Sequence, residues 1–120
     1  MAFEKYSLES DTALITGGAG LLGVQHAAAI LDAGGKVVLT DLNIESLEFA
    51  KEKLLKSYSK KKVYLYEMDV TQTRSIKAVD TNLKSKGIHV NILINNAAID
   101  PKVDEQSTTT ESSRLENFDL

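Results

Sequence analysis

Cysteine and tryptophan are absent from this 120-residue chain, and Pro101 is its only proline. The lack of cysteine excludes disulfide bonds, thiolate zinc sites and cysteine nucleophiles. No apolar run approaches the roughly 18 to 20 residues that a membrane-spanning helix needs, so we expect no membrane partner. With 42% hydrophobic and 26% charged residues, the chain has the composition of one globular domain.

A strong excess of charge is missing as well, since the formal net charge at pH 7 is −3. Residues 101–120 hold five acidic and two basic side chains, which leaves residues 1–100 neutral. A neutral body has no general attraction for nucleic acid phosphates, and we expect the basic cluster Lys60–Lys62 to be a solvated loop. The first residues lack the basic and apolar regions of a signal peptide, so we expect a cytoplasmic protein.

Short apolar runs rich in β-branched residues alternate with longer segments in which apolar residues recur at spacings of three and four. This alternation predicts strands of a parallel sheet that are joined by helices. The predicted strands are Thr12–Thr16, Lys36–Thr40, Val63–Met68 and Val90–Asn95, and the predicted helices are Leu21–Ala33, Ile44–Ser57 and Thr73–Lys86. Right-handed crossovers then give a doubly wound α/β fold with three layers, α/β/α, and the strand order 3-2-1-4.

A glycine-rich loop follows the first predicted strand and leads into the first helix. Gly18, Gly20 and Gly23 match the spacing Gly-x-Gly-x-x-Gly, and the position between a strand and a helix supports the motif. Glycine lets the backbone turn tightly and approach a pyrophosphate, whose negative charge the helix N-terminus stabilises. We therefore predict a dinucleotide site, with a tight turn that binds no ligand as the alternative.

Asp41 comes directly after the second predicted strand. A carboxylate at this place accepts hydrogen bonds from the ribose hydroxyls of an adenosine, and it repels a 2′-phosphate. Neither the glycine loop nor Leu42 supplies a basic side chain to neutralise such a phosphate, which favours NAD over NADP. The alternative for Asp41 is a turn or helix-cap aspartate.

Polar residues also follow the third and fourth predicted strands, at the sheet edge where open α/β folds bind ligands. Asp69 either contacts an adenine or caps the next helix. The amide side chains of Asn95 and Asn96 can bridge neighbouring loops. Ala97 and Ala98 are small enough to leave room for a cofactor ribose.

In their order and positions, these motifs resemble the short-chain dehydrogenase/reductase family over about residues 8–100. The resemblance implies a Rossmann fold, a nicotinamide dinucleotide, and hydride transfer between nicotinamide and a carbonyl or hydroxyl group of a small molecule. Together with the loop and Asp41, it gives the predicted cofactor-binding residues Gly17, Gly18, Ala19, Gly20, Leu21, Leu22, Gly23, Asp41, Leu42, Asp69, Val70, Asn96, Ala97 and Ala98.

Departures from the family pattern keep other interpretations open. Leu21 stands where the classical branch usually has a glycine, and the loop spacing is similar to that of the extended branch, which includes nucleotide-sugar epimerases and dehydratases. The segment Asn95-Asn96-Ala97-Ala98 is similar to the classical branch, which we favour. A non-catalytic module that binds a dinucleotide is the interpretation from another functional class.

Catalytic residues are not assigned, because positions that match the family's Asn, Ser, Tyr and Lys would fall after Leu120. We expect residues 1–100 to be an NAD-binding half-domain and residues 101–120 to be an acidic, Ser- and Thr-rich loop that leads to a missing C-terminal half. In a full-length protein, the resemblance implies a homo-oligomer and a small carbonyl or alcohol substrate, sugar-related compounds included.

Two other patterns are interpreted as non-catalytic. Tyr58 and Lys62 satisfy Tyr-x-x-x-Lys, but they lie between the second helix and the third strand, away from the glycine loop. His26 and His89 have no partners at the spacing of a metal site or a catalytic triad, so we expect no metal.

Overall fold

Four parallel strands form the sheet of the computed structural model, which describes residues 7–97. The strands are β1 (Thr12–Thr16), β2 (Lys36–Asp41), β3 (Val63–Glu67) and β4 (Ile92–Ile94), and the helices are α1 (Leu21–Asp32), α2 (Ile44–Leu54) and α3 (Thr73–Ser85). Their order in the sheet is β3-β2-β1-β4, as predicted.

The central strand β1 is buried along its whole length and pairs on both sides. Leu14, for example, lies between Val38 of β2 and Leu93 of β4. Strands that are covered on both faces consist of continuous apolar residues, because neither face meets water. The sequences of β1 and β2 have this character, which is why the alternation of strands and helices could be recognised.

Helices cover the two faces of the sheet separately and produce the predicted three layers. On one face, α1 and α2 bury Leu31, Leu47 and Leu54 against β1, β2 and β3. On the other face, α3 buries Ile76 and Leu83, which belong to a second cluster with residues of β1 and β2. Within residues 7–97, no helix combines the length and hydropathy needed to cross a membrane.

The ends of several elements differ from the prediction. β2 continues through Asp41, so this residue ends the strand and pairs with Glu67 of β3. α2 ends at Leu54 instead of Ser57, because the backbone N–H groups of Ser57 and Tyr58 both donate to the Leu54 carbonyl and close a turn.

Other ends are shorter by a few residues. α1 ends at Asp32, α3 at Ser85 and β3 at Glu67. β4 contains only Ile92–Ile94 of the predicted Val90–Asn95. At its carboxyl end, the Asn96 N–H donates back to the Ile94 carbonyl and turns the chain out of the sheet.

The basic cluster forms a short 3₁₀ turn, Lys60–Lys62, where we predicted a solvated loop. Lys60 and Lys61 are exposed, in agreement with that prediction. The Lys62 ammonium, in contrast, donates to the Gly34 carbonyl at 3.3 Å and ties the turn before β3 to the turn before β2.

Candidate functional site

The carboxyl ends of all four strands lie at one edge of the sheet, because the strands are parallel. The glycine loop follows β1, Asp41 ends β2, Asp69 follows β3, and Asn96 follows β4. Residues that are far apart in the sequence are therefore brought together at the edge where open α/β sheets bind ligands. The binding roles predicted for these residues stay predictions.

The glycine loop packs directly against the start of α1. Gly17 has a φ of 64°, a left-handed conformation that favours glycine. A β-carbon on Gly23 would collide with the Gly17 carbonyl oxygen and lie 2.9 Å from the α-carbon of Gly18. Both glycines are thus required by the fold of the loop itself.

The N-terminus of α1 has no side-chain cap within the described residues. Its N-cap is Gly20, and no acidic residue lies in its first turn. A β-carbon on Gly20 would meet only the Gly17 carbonyl oxygen, at 3.5 Å, and the φ of −77° suits any residue. Packing among residues 7–97 therefore gives no reason for glycine at this position, whereas the close approach of a ligand would. Uncapped N–H groups at a helix N-terminus favour an anion.

Asp41 connects the end of β2 to the glycine loop. Its Oδ2 accepts a hydrogen bond from the Ala19 N–H at 3.1 Å, and its Oδ1 accepts one from the Leu42 N–H at 2.8 Å. The alternative of a helix-cap aspartate is not what the structure has, because the cap of α2 is Asn43. The contact with Ala19 places the carboxylate beside the uncapped end of α1.

Side chains accept hydrogen bonds from the backbone N–H groups at the N-terminus of α2, in contrast to the N-terminus of α1. Asn43 Oδ1 accepts from the N–H groups of Glu45 and Ser46, at 2.8 and 3.2 Å. Glu67 Oε1 accepts from the Ile44 N–H at 3.1 Å. Glu67 was not singled out from the sequence, although an acidic residue near the end of the predicted strand Val63–Met68 was visible there, beside the strand that leads to Asp41.

Thr16 joins the ends of β1 and β4. Its side chain is fully buried, and its hydroxyl oxygen accepts hydrogen bonds from the N–H groups of Asn96 and Ala97, both at 2.9 Å. The Asn96 side-chain amide donates to the Gly17 carbonyl at 3.2 Å, so it bridges neighbouring loops as we expected. From the sequence, Thr16 was predicted to end the first strand and was given no further role.

Asp69 is part of a compact turn after β3. Its Oδ1 accepts from both the N–H and the hydroxyl of Thr71, at 2.9 and 2.6 Å, and its own N–H donates to the Ser75 hydroxyl. The N-cap of α3 is Gln72, so Asp69 does not cap that helix. The adjacent Val70 is half-buried against the cluster on the α3 face.

Exposed leucines surround the loop. Leu21 is 78% exposed, Leu22 56% and Leu42 69%, and all three belong to the predicted cofactor-binding set. Large exposed apolar side chains that lie close to a polar site are a common feature of ligand-binding surfaces. Ala98, the last residue of that set, lies outside the described residues, as does the predicted loop 101–120.

Tyr58 and Lys62 each have a hydrogen-bond partner other than the other residue of the pair. The Tyr58 hydroxyl donates to Asp32 Oδ1 at 2.6 Å, at the amino edge of the sheet. This hydrogen bond, with burial and the charge of Asp32, raises the pKa of Tyr58 above its ordinary value of 10.0. A tyrosine that acts as a general base needs a lowered pKa, so the raised pKa of Tyr58 agrees with the non-catalytic interpretation.

Comparison with known proteins gives similar sequences and folds. A short-chain dehydrogenase/reductase of Gibberella zeae is 40% identical over 93 residues, which are 78% of this chain and 33% of that protein. The crystal structure of a short-chain dehydrogenase from Bacillus anthracis is similar with a TM-score of 0.70 and 30% identity, over 77% of this chain and 36% of that one. An NAD⁺-bound xylitol dehydrogenase has a TM-score of 0.65 and 29% identity, over 77% and 35%.

The chain thus spans about a third of the length of these relatives. A family model described as short chain dehydrogenase matches residues 11–119. The match includes the glycine loop, Asp41 and the residues that follow β3 and β4. The chain belongs to the short-chain dehydrogenase family.

Proposed function

We propose that this chain is the cofactor-binding part of an oxidoreductase that transfers hydride between a nicotinamide dinucleotide and a carbonyl or hydroxyl group of a small molecule. The observation that carries the proposal is the N-terminus of α1, which has no side-chain cap within residues 7–97 and follows a glycine loop. A helix N-terminus of this kind stabilises a diphosphate through its N–H groups and its dipole.

The residues at the carboxyl edge fit a dinucleotide. The backbone from Gly17 to Gly23 would hold the diphosphate, where the space at Gly20 allows close approach. Asp41 would hold the adenosine ribose, and the exposed Leu42 would offer an apolar surface beside it. When bound, the nicotinamide ring supplies the hydride acceptor or donor, and the chain contributes binding and orientation.

NAD is the cofactor that we propose, in preference to NADP. Asp41 places a negative charge where a 2′-phosphate would come, and Leu42 and Asn43 provide no cation to offset it. The similar xylitol dehydrogenase is bound to NAD⁺, which supports the same choice. The sugar-related substrates, the homo-oligomer and the cytoplasmic location expected from the sequence remain predictions.

The proposal is tested by titrating the purified chain with NAD⁺ in a calorimeter and comparing it with the variant Gly20→Ala. The methyl group occupies space that packing leaves open, so we expect NAD⁺ affinity to fall at least about tenfold. The free energy of unfolding in urea should change by less than about 1 kcal/mol, because no described atom is displaced.

The matched control is Gly87→Ala, which changes a glycine at the opposite end of the sheet. Gly87 has a φ of 72° and no atom within 4 Å of an added β-carbon, so the variant should lose some stability and keep its NAD⁺ affinity. The proposal fails if the unaltered chain does not bind NAD⁺, or if Gly20→Ala binds it as tightly as the unaltered chain does.

A further inference from the structure

Two helices begin at the candidate site, and their N-termini differ in side-chain capping. α1 has no side-chain cap within the described residues. At α2, in contrast, Asn43 accepts from two N–H groups and Glu67 accepts from the Ile44 N–H. The N–H groups that would attract an anion to the start of α2 are therefore already bound by side chains of the chain itself.

Glu67 lies next to Asp41. The two residues are partners in the parallel register of β2 and β3, and they are the last residues of their strands. Residues paired in this way present their side chains to the same face of the sheet. Asp41 reaches from this position to the loop before α1, and Glu67 reaches to the start of α2.

The turn between β2 and α2 is thus bordered by two carboxylates. It has the sequence Leu42-Asn43 and carries no basic side chain, and the first turn of α2 adds a third carboxylate, Glu45. A phosphate monoester carries close to two negative charges and binds where free N–H groups or Arg and Lys side chains are available. No Arg or Lys lies at this turn, and side chains already bind the N–H groups of Leu42, Ile44, Glu45 and Ser46.

We propose that Glu67 is a second specificity-determining residue of the cofactor site, which acts with Asp41 to exclude a 2′-phosphate. It does so in two ways, by binding the Ile44 N–H and by adding negative charge beside the Asp41 carboxylate. The inference rests on the proposed function, because it requires that a dinucleotide binds with its ribose at Asp41.

The experiment compares the dissociation constants of NAD⁺ and NADP⁺, measured by calorimetry, for the unaltered chain and for Glu67→Gln. Glutamine keeps an oxygen that can accept from the Ile44 N–H and removes only the charge. We expect the ratio of the NADP⁺ constant to the NAD⁺ constant to fall about threefold at low salt, and the change to shrink at high salt, because exposed charges are screened. When Glu67→Gln is combined with Asp41→Ser, the ratio should be lower than that of Asp41→Ser alone.

The control is Glu48→Gln, which removes an equal charge from the exposed face of α2. This variant should leave the ratio unchanged. An unaltered ratio in Glu67→Gln, or an equal change in Glu48→Gln, overturns the inference while NAD⁺ binding by the unaltered chain still supports the proposed function. If the unaltered chain binds neither nucleotide, the proposed function fails and the inference fails with it.

Discussion

A single hydroxyl group, that of Thr16, holds the turn after β4 to the end of β1. It accepts hydrogen bonds from two consecutive backbone N–H groups, those of Asn96 and Ala97. These N–H groups have no strand partner, because β4 has already ended at Ile94. The Asn96 N–H also donates to the Ile94 carbonyl, at 3.1 Å, so loss of the buried hydroxyl would leave the Ala97 N–H without an acceptor and Asn96 with only this second one.

Replacing Thr16 by valine keeps the shape of the side chain and removes the acceptor. We expect the free energy of unfolding in urea to fall by about 1 to 3 kcal/mol, which is the cost of leaving a donor unpaired inside the protein. Amide hydrogen exchange at Asn96 and Ala97 should become faster. Thr16→Ser keeps the hydroxyl and should restore slow exchange at these two amides. If they exchange as fast in Thr16→Ser as in the valine variant, the hydroxyl is not the group that holds the turn.

At the scale of elements, α1 is fixed to the glycine loop by backbone contact instead of by a cap. Gly23 lies in the first turn of α1, and a β-carbon there would collide with the Gly17 carbonyl oxygen and lie only 2.9 Å from the α-carbon of Gly18. The close packing leaves no room for a side chain on this side of the helix. The packing at Gly23 therefore fixes where the N–H groups of α1 lie relative to Asp41.

Gly23→Ala should displace α1 from the loop. Overpacking at a rigid contact costs about 1 to 3 kcal/mol, and we expect a loss of unfolding free energy in that range together with the loss of NAD⁺ binding. Gly20→Ala, three residues earlier, provides the comparison, since its methyl group meets only one atom, at 3.5 Å. Equal stability of the two variants in urea would contradict this account of Gly23.

The sequence predicted the elements better than their ends. Helices with apolar residues every three or four positions, such as α3, and strands that are apolar throughout, such as β1, were recognisable because burial imposes those patterns. The ends depend on single hydrogen bonds, such as the bonds from Ser57 and Tyr58 to Leu54, which periodicity does not encode.

For the candidate site, the parallel direction of the predicted strands was enough to predict that Asp41, Asp69 and Asn96 would lie at one edge. The role of Glu67 could not be predicted in this way, because it depends on the register between β2 and β3 and on how far a side chain reaches. The hydroxyl of Thr16 is a similar case, because its partners are backbone groups that any residue type would supply.

At the scale of the whole molecule, the sheet is covered unevenly. Two helices pack on one face and one on the other, and within residues 7–97 no strand pairs with the outer edge of β4. Ile92, Leu93 and Ile94 are each only half-buried. An unpaired apolar edge strand is a template for pairing with another chain.

We expect the 120-residue chain to associate with itself through β4 as its concentration rises. Sedimentation velocity from low to high micromolar concentration should show a rising mean sedimentation coefficient. Hydrogen exchange at Ile92–Ile94 should slow over the same range, while exchange in β3, at the other edge, serves as the reference. A monomer at every concentration, with constant exchange in β4, would contradict this expectation.

The central position of β1 also bears on the order in which the site can be assembled during synthesis. Leu14 pairs with Val38 across a short stretch of chain, but its pairing with Leu93 spans most of the described residues. Closing the longer loop costs about 1 kcal/mol more in chain entropy than closing the shorter one. On the ribosome, Thr16 is made early and Asn96 and Ala97 late, so the strand ends that form the candidate site cannot all meet until the last of the four has emerged.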